Sequence, residues 1–254
     1  YRWRSFFYKI NAQIFKQTQV DKIPQKELHA IIDDSILTKV GKKLENVCYL
    51  YDHSLGRSVL GYCIVTLGIL TGHGFYPVDF AYYFGKRRNA KTPFVIGDQR
   101  QSSGQRSFEA QKYTKLDLAF MLIERAVNCG IIPGYVLFDS WYAWPVLINR
   151  IRSLKDKSIH VICRLKNSKV KYEYNGKAYQ LCELYQKVKH QLKKDQRTGL
   201  MLKRVTVLFS GSKEKVVIVF SRGYREPEVE QIRGKKKKKE PKWAAFLCTD
   251  TRLK

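Results

Sequence analysis

Two apolar runs, each closed by an aspartate, constrain what this chain can fold into. Ile31-Ile32-Asp33-Asp34-Ser35 and Val136-Leu137-Phe138-Asp139-Ser140 stand 106 residues apart, counted from Asp33 to Asp139 (139 − 33). Each run has the apolar, β-branched or aromatic make-up of a buried strand, and each leaves a carboxylate where the run gives out. A sheet can hold two such strand ends rigidly side by side. The pair therefore predicts one site in which Asp33 and Asp139 face a divalent cation.

The charge of the chain says what such a cation would act on. The 254 residues hold 48 Lys and Arg against 22 Asp and Glu, a formal charge of +26. Removing the lysine run Lys235 to Lys239 still leaves +21 (26 − 5), so the excess belongs to the folded body as well as to one basic segment. That much self-repulsion is offset most simply by a polyanion, which favours nucleic acid over a small neutral substrate. A hydrophobic content of 44% with 13% aromatic residues excludes a disordered protein. The six cysteines show no Cys-x-x-Cys pair and the five histidines no ligand spacing, so the cysteines are expected to be buried thiols in a reducing compartment and no zinc is expected. Val59 to Leu70, the longest apolar stretch, is too short to span a membrane. No signal peptide is evident, and a chain opening on Tyr1 is expected to be part of something longer.

Along the chain, residues 1–24 are expected to form a linker or helical segment, with weak helical periodicity that stops at Pro24. A first strand ends at Asp33. Two long strands follow, Arg57 to Leu70 and Phe75 to Phe84, around the turn Thr71-Gly72-His73-Gly74. Gly85 to Lys112 is expected to be a polar connection. Thr114 and Asp117 have the spacing of a capping box before the helical stripe Leu116, Ala119, Phe120, Ile123 and Val127. Pro133-Gly134 turns this helix into the strand Tyr135 to Phe138. Pro145 opens another helix, and Ser158 to Leu165 another strand. Three antiparallel strands, helix, strand, helix, strand is the ribonuclease-H-like layout, an α/β mixed sheet with flanking helices. Residues 25–168 are assigned to this core, and residues 169–242 to a β-rich insertion with a turn at Asn175-Gly176, another at Gly211-Ser212, a short helix near Leu181 to Val188 and a basic loop. Residues 243–254 supply a return strand of the core, from Trp243 to Cys248.

Ile31 to Ser35, Tyr51-Asp52-His53-Ser54 with Gly61, Phe138 to Tyr142 and Phe246-Leu247-Cys248-Thr249-Asp250 together resemble the DDE transposases of bacterial insertion sequences, in the branch with a β insertion. The resemblance runs from about Ala30 to Thr251. It implies that Asp33 and Asp139 are the first two catalytic acids and bind Mg²⁺, for which Mn²⁺ can substitute. It implies phosphodiester hydrolysis and strand transfer on double-stranded DNA, at transposon ends and in the target, by a cytoplasmic, nucleoid-associated protein that can work as a homodimer. The pattern has a small polar residue two positions after the first acid, which fits Asp33 with Ser35 and leaves Asp34 turned away. A third acid, a glutamate, is implied on a helix after the Trp243 strand. The sequence given stops at Lys254 before such a helix, so by itself it is expected to be a poor catalyst.

Lys86, Arg87, Arg88, Arg100, Arg106, Arg164, Lys166 and Lys169 flank the expected active edge and can neutralise phosphates as a set. Trp141, with Tyr142 and Trp144, is placed to stack on an unpaired base, although helix-start packing is the commoner role for such residues. Two other readings stay open: a different nuclease of the same fold, and a decayed or domesticated element that keeps DNA binding without catalysis.

Overall fold

The computed structural model describes residues 3–41, 44–84, 95, 97–209, 214–223, 229–232, 235–238 and 242–253. They form two compact units. One is Tyr1–Leu137 with Arg150–Ile159, the other Phe138–Asn149 with His160–Lys254.

The first unit opens with helix α1 (Trp3–Gln17). Strands β1 (His29–Thr38), β2 (Cys48–Asp52), β3 (Arg57–Thr71) and β4 (Gly74–Tyr83) follow. β3 is the central strand. It pairs antiparallel with the whole of β1, from His29 opposite Leu70 to Thr38 opposite Gly61. Its other edge pairs with β4 along Cys63 to Thr71 and with β2 along Arg57 to Gly61. Being paired on both edges, β3 buries alternate residues, and Val65, Leu67 and Ile69 are fully enclosed. Helices α2 (Ser102–Lys112) and α3 (Lys115–Asn128) pack on β4, and α3 also on β3, with Leu118, Leu122 and Ile123 in the core.

Strand β5 (Tyr135–Phe138) enters beside β1. The Gly134 and Tyr135 amides donate to the Leu28 carbonyl at 2.9 and 3.4 Å, so both strands start at the same end and run the same way. Gly134 is required there because a Cβ would lie 2.6 Å from both Gln25 O and Lys26 Cα. Antiparallel β1, β3 and β4, with β2 added on β3, then the helices α2 and α3 and the strand β5 returning beside β1, give the mixed α/β, ribonuclease-H-like arrangement. Helix α4 (Pro145–Arg152) follows.

In the second unit, β6 (His160–Leu165), β7 (Lys171–Tyr174), β8 (Lys177–Gln180), α5 (Leu181–Val188), β9 (Lys193–Lys194), β10 (Met201–Phe209), β11 (Lys215–Arg222), β12 (Val229–Ile232), β13 (Lys235–Lys238) and β14 (Trp243–Cys248) come in that order. The sheet order is β6-β14-β11-β10-β7-β8, with β9 on β10 and a separate β12-β13 ribbon. Tyr185 of α5 stacks on Trp243 with ring centroids 4.3 Å apart, and Phe220 meets Trp243 edge-on. The β7–β8 turn uses Asn175 and Gly176, both at positive φ, as an Asn-Gly hairpin demands.

Four expectations change. β1 does not end at Asp33 but continues to Thr38, because β3 is long enough to pair with all of it. The connection expected to be polar contains α2, which no apolar stripe announces; Gly104, Arg106, Glu109 and Ala110 are its buried residues. The segment Cys48–Asp52 is a strand, β2, where none was expected, while helix α1 sets Phe7 against Phe80 at 6.3 Å and Phe15 against Tyr76 at 5.5 Å. The lysine run is a strand over Lys235–Lys238, paired with Val229–Ile232, where a loop was expected. Gly211-Ser212 lies outside the described residues.

Candidate metal centre

Asp33 and Asp34 are neighbours on one continuous strand, so their side chains leave opposite faces. Asp34 shares its face with the buried Ala30 and Ile32. Its carboxylate lies 2.9 Å from Lys115 Nζ at the start of α3 and accepts from Cys63 Sγ at 3.6 Å. Burial pushes the Cys63 thiol up to about 12, so it stays a neutral donor. Asp33 is on the other face and exposed, and its Oδ1 accepts the Asp34 amide at 2.8 Å. No cation pairs with Asp33 among the described residues.

Asp139 follows β5 directly and belongs to the second unit. It too is exposed, and its Oδ1 accepts the Trp141 amide at 2.9 Å, a local turn that fixes the carboxylate at the start of the next segment. Tyr142 is fully buried and lies between Phe138, at 6.3 Å, and Trp141, at 5.0 Å. It is a packing residue. Trp141 is half-buried, and Trp144 is 40% exposed with Lys166 Nζ 5.9 Å from its ring centre.

Next to Asp139, Ser140 lines a cavity of about 600 Å³ together with Arg164, Lys166, Lys242 and Trp243. The three cations are exposed, which suits them to phosphate oxygens. Lys242 and Trp243 were not foreseen as site residues. Only the position of β14 beside β6 brings them to Arg164 and Lys166. Lys169 is exposed beyond the end of β6.

The remaining basic residues fare differently. Arg100 is exposed and forked onto Asp98 through Nε and Nη2. Arg106 cannot contact phosphate from outside, because it is 7% exposed, with its guanidinium 3.9 Å from the centre of the Phe80 ring and donating to the Phe80 carbonyl at 3.1 Å. Its place on the inner side of α2 removes it from the DNA-binding set. Lys86, Arg87 and Arg88 lie outside the described residues.

The donor chemistry fits a hard divalent cation. Asp33 and Asp139 are exposed carboxylates that each commit one oxygen to a local amide, and carboxylate oxygens are the ligands such ions take. No group of three or more His, Cys, Asp or Glu able to hold a metal is found among the described residues. No helix among them is long and apolar enough to cross a membrane.

The sequence matches the family described as DDE superfamily endonuclease over residues 2–179. No curated protein matches it. Among solved structures, that of the NurA nuclease from Sulfolobus solfataricus is similar over 96% of this chain and 77% of its own, at 10% sequence identity and a TM-score of 0.35. Since the family match covers well over half the residues, the chain belongs to the DDE superfamily endonucleases.

Proposed function

We propose that this chain is the catalytic core of an insertion-sequence transposase, which cuts and joins double-stranded DNA with Mg²⁺, or Mn²⁺ in its place, held by Asp33 and Asp139. One observation carries the assignment. The His29 and Tyr135 rings lie 5.7 Å apart where β1 and β5 start, and Asp33 and Asp139 each stand four residues further along (33 − 29 and 139 − 135). Tyr135 to Leu137 lie beside β1 within the first unit, and Asp139 is the second residue after them. Asp34 is excluded because Lys115 already neutralises it.

When bound, the divalent cation lowers the cost of the charge that builds on the phosphate and favours attack by water or a 3′-hydroxyl. The protein's own groups do the rest. Asp33 and Asp139 supply negative oxygens, while Arg164, Lys166 and Lys242 hold the adjoining phosphates and leave base identity unread. Lys169, Arg100, Lys86, Arg87 and Arg88 are assigned to phosphates as well, and Trp141 to an unpaired base. Residues 169–242 are an insertion into the core. This reading is supported by β14, which returns from the excursion to lie between β6 and β11. The protein acts on transposon ends and target as a homodimer in the nucleoid.

The test is Mn²⁺ binding followed by loss of the free-ion electron paramagnetic resonance signal, paired with strand transfer by the product of the whole gene. Asp33→Asn and Asp139→Asn are each expected to lose the ion, whereas Asp34→Asn keeps it. Binding that survives both single substitutions ends the assignment. Cutting without joining of transposon-end DNA favours a different nuclease of this fold.

A further inference from the structure

The sheet face that carries Asp33 continues across two further strands of the first unit. Asp33 pairs with Thr66 of β3, and Thr66 with Phe80 of β4; two residues on, Ser35 pairs with Ile64, and Ile64 with Tyr82. Residues directly opposite each other in neighbouring strands point to the same side of a sheet. The inner side takes Asp34, Val65 and Ala81, and the last two are buried. The outer side takes Asp33 and Thr66, both exposed, then Phe80 and Tyr82, both half-buried. Asp33 and Phe80 therefore stand two strand spacings apart on one face, about 10 Å.

Phe80 and Tyr82 line a cavity of about 540 Å³ together with Phe7, Tyr62 and Phe84, a volume within the range of small-molecule sites. Tyr62 is held in place by its hydroxyl, which donates to the Glu45 carbonyl at 2.6 Å, and its ring centre is 5.9 Å from that of Tyr82. Arg106 also lines the cavity but is spent on Phe80: its guanidinium covers that ring at 3.9 Å, and its Nη1 donates to the Phe80 carbonyl. Tyr62 and Tyr82 thus offer the flat surface. The rest of the lining is polar, with Ser102, Ser103, Ser107 and the exposed Glu45. A carboxylate there repels phosphate but can accept from the amino group of a base.

We propose that this cavity takes an unpaired nucleobase of the DNA strand whose phosphate sits at Asp33, stacked on Tyr62 and Tyr82. The assignment deepens the reading of Asp33 as a cation site and rests on it. At the roughly 3.4 Å that each nucleotide advances along a duplex strand, 10 Å is about three nucleotides, and fewer where the strand is stretched. The base has to leave the duplex first, because a paired base has both faces and one edge occupied. Ring faces accept any base, so the cavity selects for the unpaired state and reads little sequence.

The test uses the product of the whole gene and duplex DNA with a single-stranded overhang, in which one overhang base at a time is replaced by an abasic sugar. Binding is read by fluorescence anisotropy in EDTA, so that no cutting intervenes. At one position, loss of the base should weaken binding about fivefold or more, as removal of one base–aromatic stack implies. Tyr82→Val, which keeps a strand-forming side chain, and Ser103→Leu, which fills the cavity from an exposed wall position, should each abolish that difference. Affinity for the abasic DNA checks that each variant is folded, and Ser103→Leu decides alone where Tyr82→Val is not. Equal binding of intact and abasic DNA at every position overturns the proposal. So does a difference that both cavity variants keep and Trp141→Ala removes, since it would belong to Trp141. Mn²⁺ binding separates the two readings: Asp33→Asn should lose the ion and keep the base difference, whereas ion binding indifferent to Asp33→Asn removes the cation site and leaves the base to be judged by its own signal.

Discussion

At the scale of single residues, Asp33 and Asp34 share a chemistry and differ in what each meets. Asp34 is half-buried against Lys115, whose side chain is 12% exposed, so its charge is consumed inside the fold. Asp33 is exposed, and no cation pairs with it among the described residues. Asp34→Asn is therefore expected to lower stability by about 1–3 kcal/mol, the cost of losing a charged hydrogen bond that is out of water, while Mn²⁺ binding persists. Asp33→Asn should do the reverse. Urea unfolding midpoints set beside metal titrations separate the two, and equal stability losses would show that both acids are structural. In the product of the whole gene, chelation with EDTA should stop nicking and leave duplex binding in place, because phosphate contacts come from the basic side chains.

At the scale of elements, α3 depends on its first turn. Thr114 caps the Asp117 amide and Asp117 caps back onto Thr114, while Arg150 Nη1 lies 2.7 Å from the Asp117 carboxylate. Burial alone would raise the Asp117 pKa, but the bonds from Thr114 and Arg150 outweigh it and hold the carboxyl below its ordinary range. A lowered carboxyl pKa contributes stability that is present above the unfolded value and lost as pH falls through the folded one. Asp117→Asn should therefore unfold earlier than the parent near neutrality, and the two midpoints should converge below about pH 4, where an unfolded aspartate takes up its proton. Midpoints that stay equally far apart at low pH would contradict this. At the start of β5, Gly134→Ala forces a Cβ against the Gln25–Lys26 backbone and should cost about 1–3 kcal/mol, read as a lower unfolding temperature. A neutral substitution would mean that the entry of β5 beside β1 is loose.

At the scale of the whole molecule, the charge of +26 predicts duplex binding that weakens steeply from low to moderate salt, since each neutralised phosphate releases condensed counterions. Deleting Lys235 to Lys239 removes five of those charges and should weaken binding without abolishing it. Fluorescence anisotropy over a salt series measures both. A slope independent of salt, or complete loss on deletion, would place the interface elsewhere or confine it to the β12–β13 ribbon.

What the sequence determined by itself is mostly local. The Thr114–Asp117 box, the Asn175-Gly176 hairpin, α5 and the Trp243 to Cys248 strand are all readable, because caps, turns and apolar runs are set by residues a few positions apart. Strand alternation puts Asp33 and Asp34 on opposite faces, and the resemblance's acid-then-small-polar pattern chose Asp33. Tertiary structure decided the rest. β1 runs on to Thr38 because β3 offers it partners, and a polar segment becomes α2 because its buried Glu109 meets Arg4 and Arg125 from distant helices. Arg106 looked like a surface cation, and only the Phe80 ring and the cavity wall make it an interior one. Lys242 and Trp243 reach the cavity next to Asp139 because β14 pairs with β6 across a long excursion of the chain. Such partners are fixed by which faces become buried together, and no short stretch of sequence carries that information.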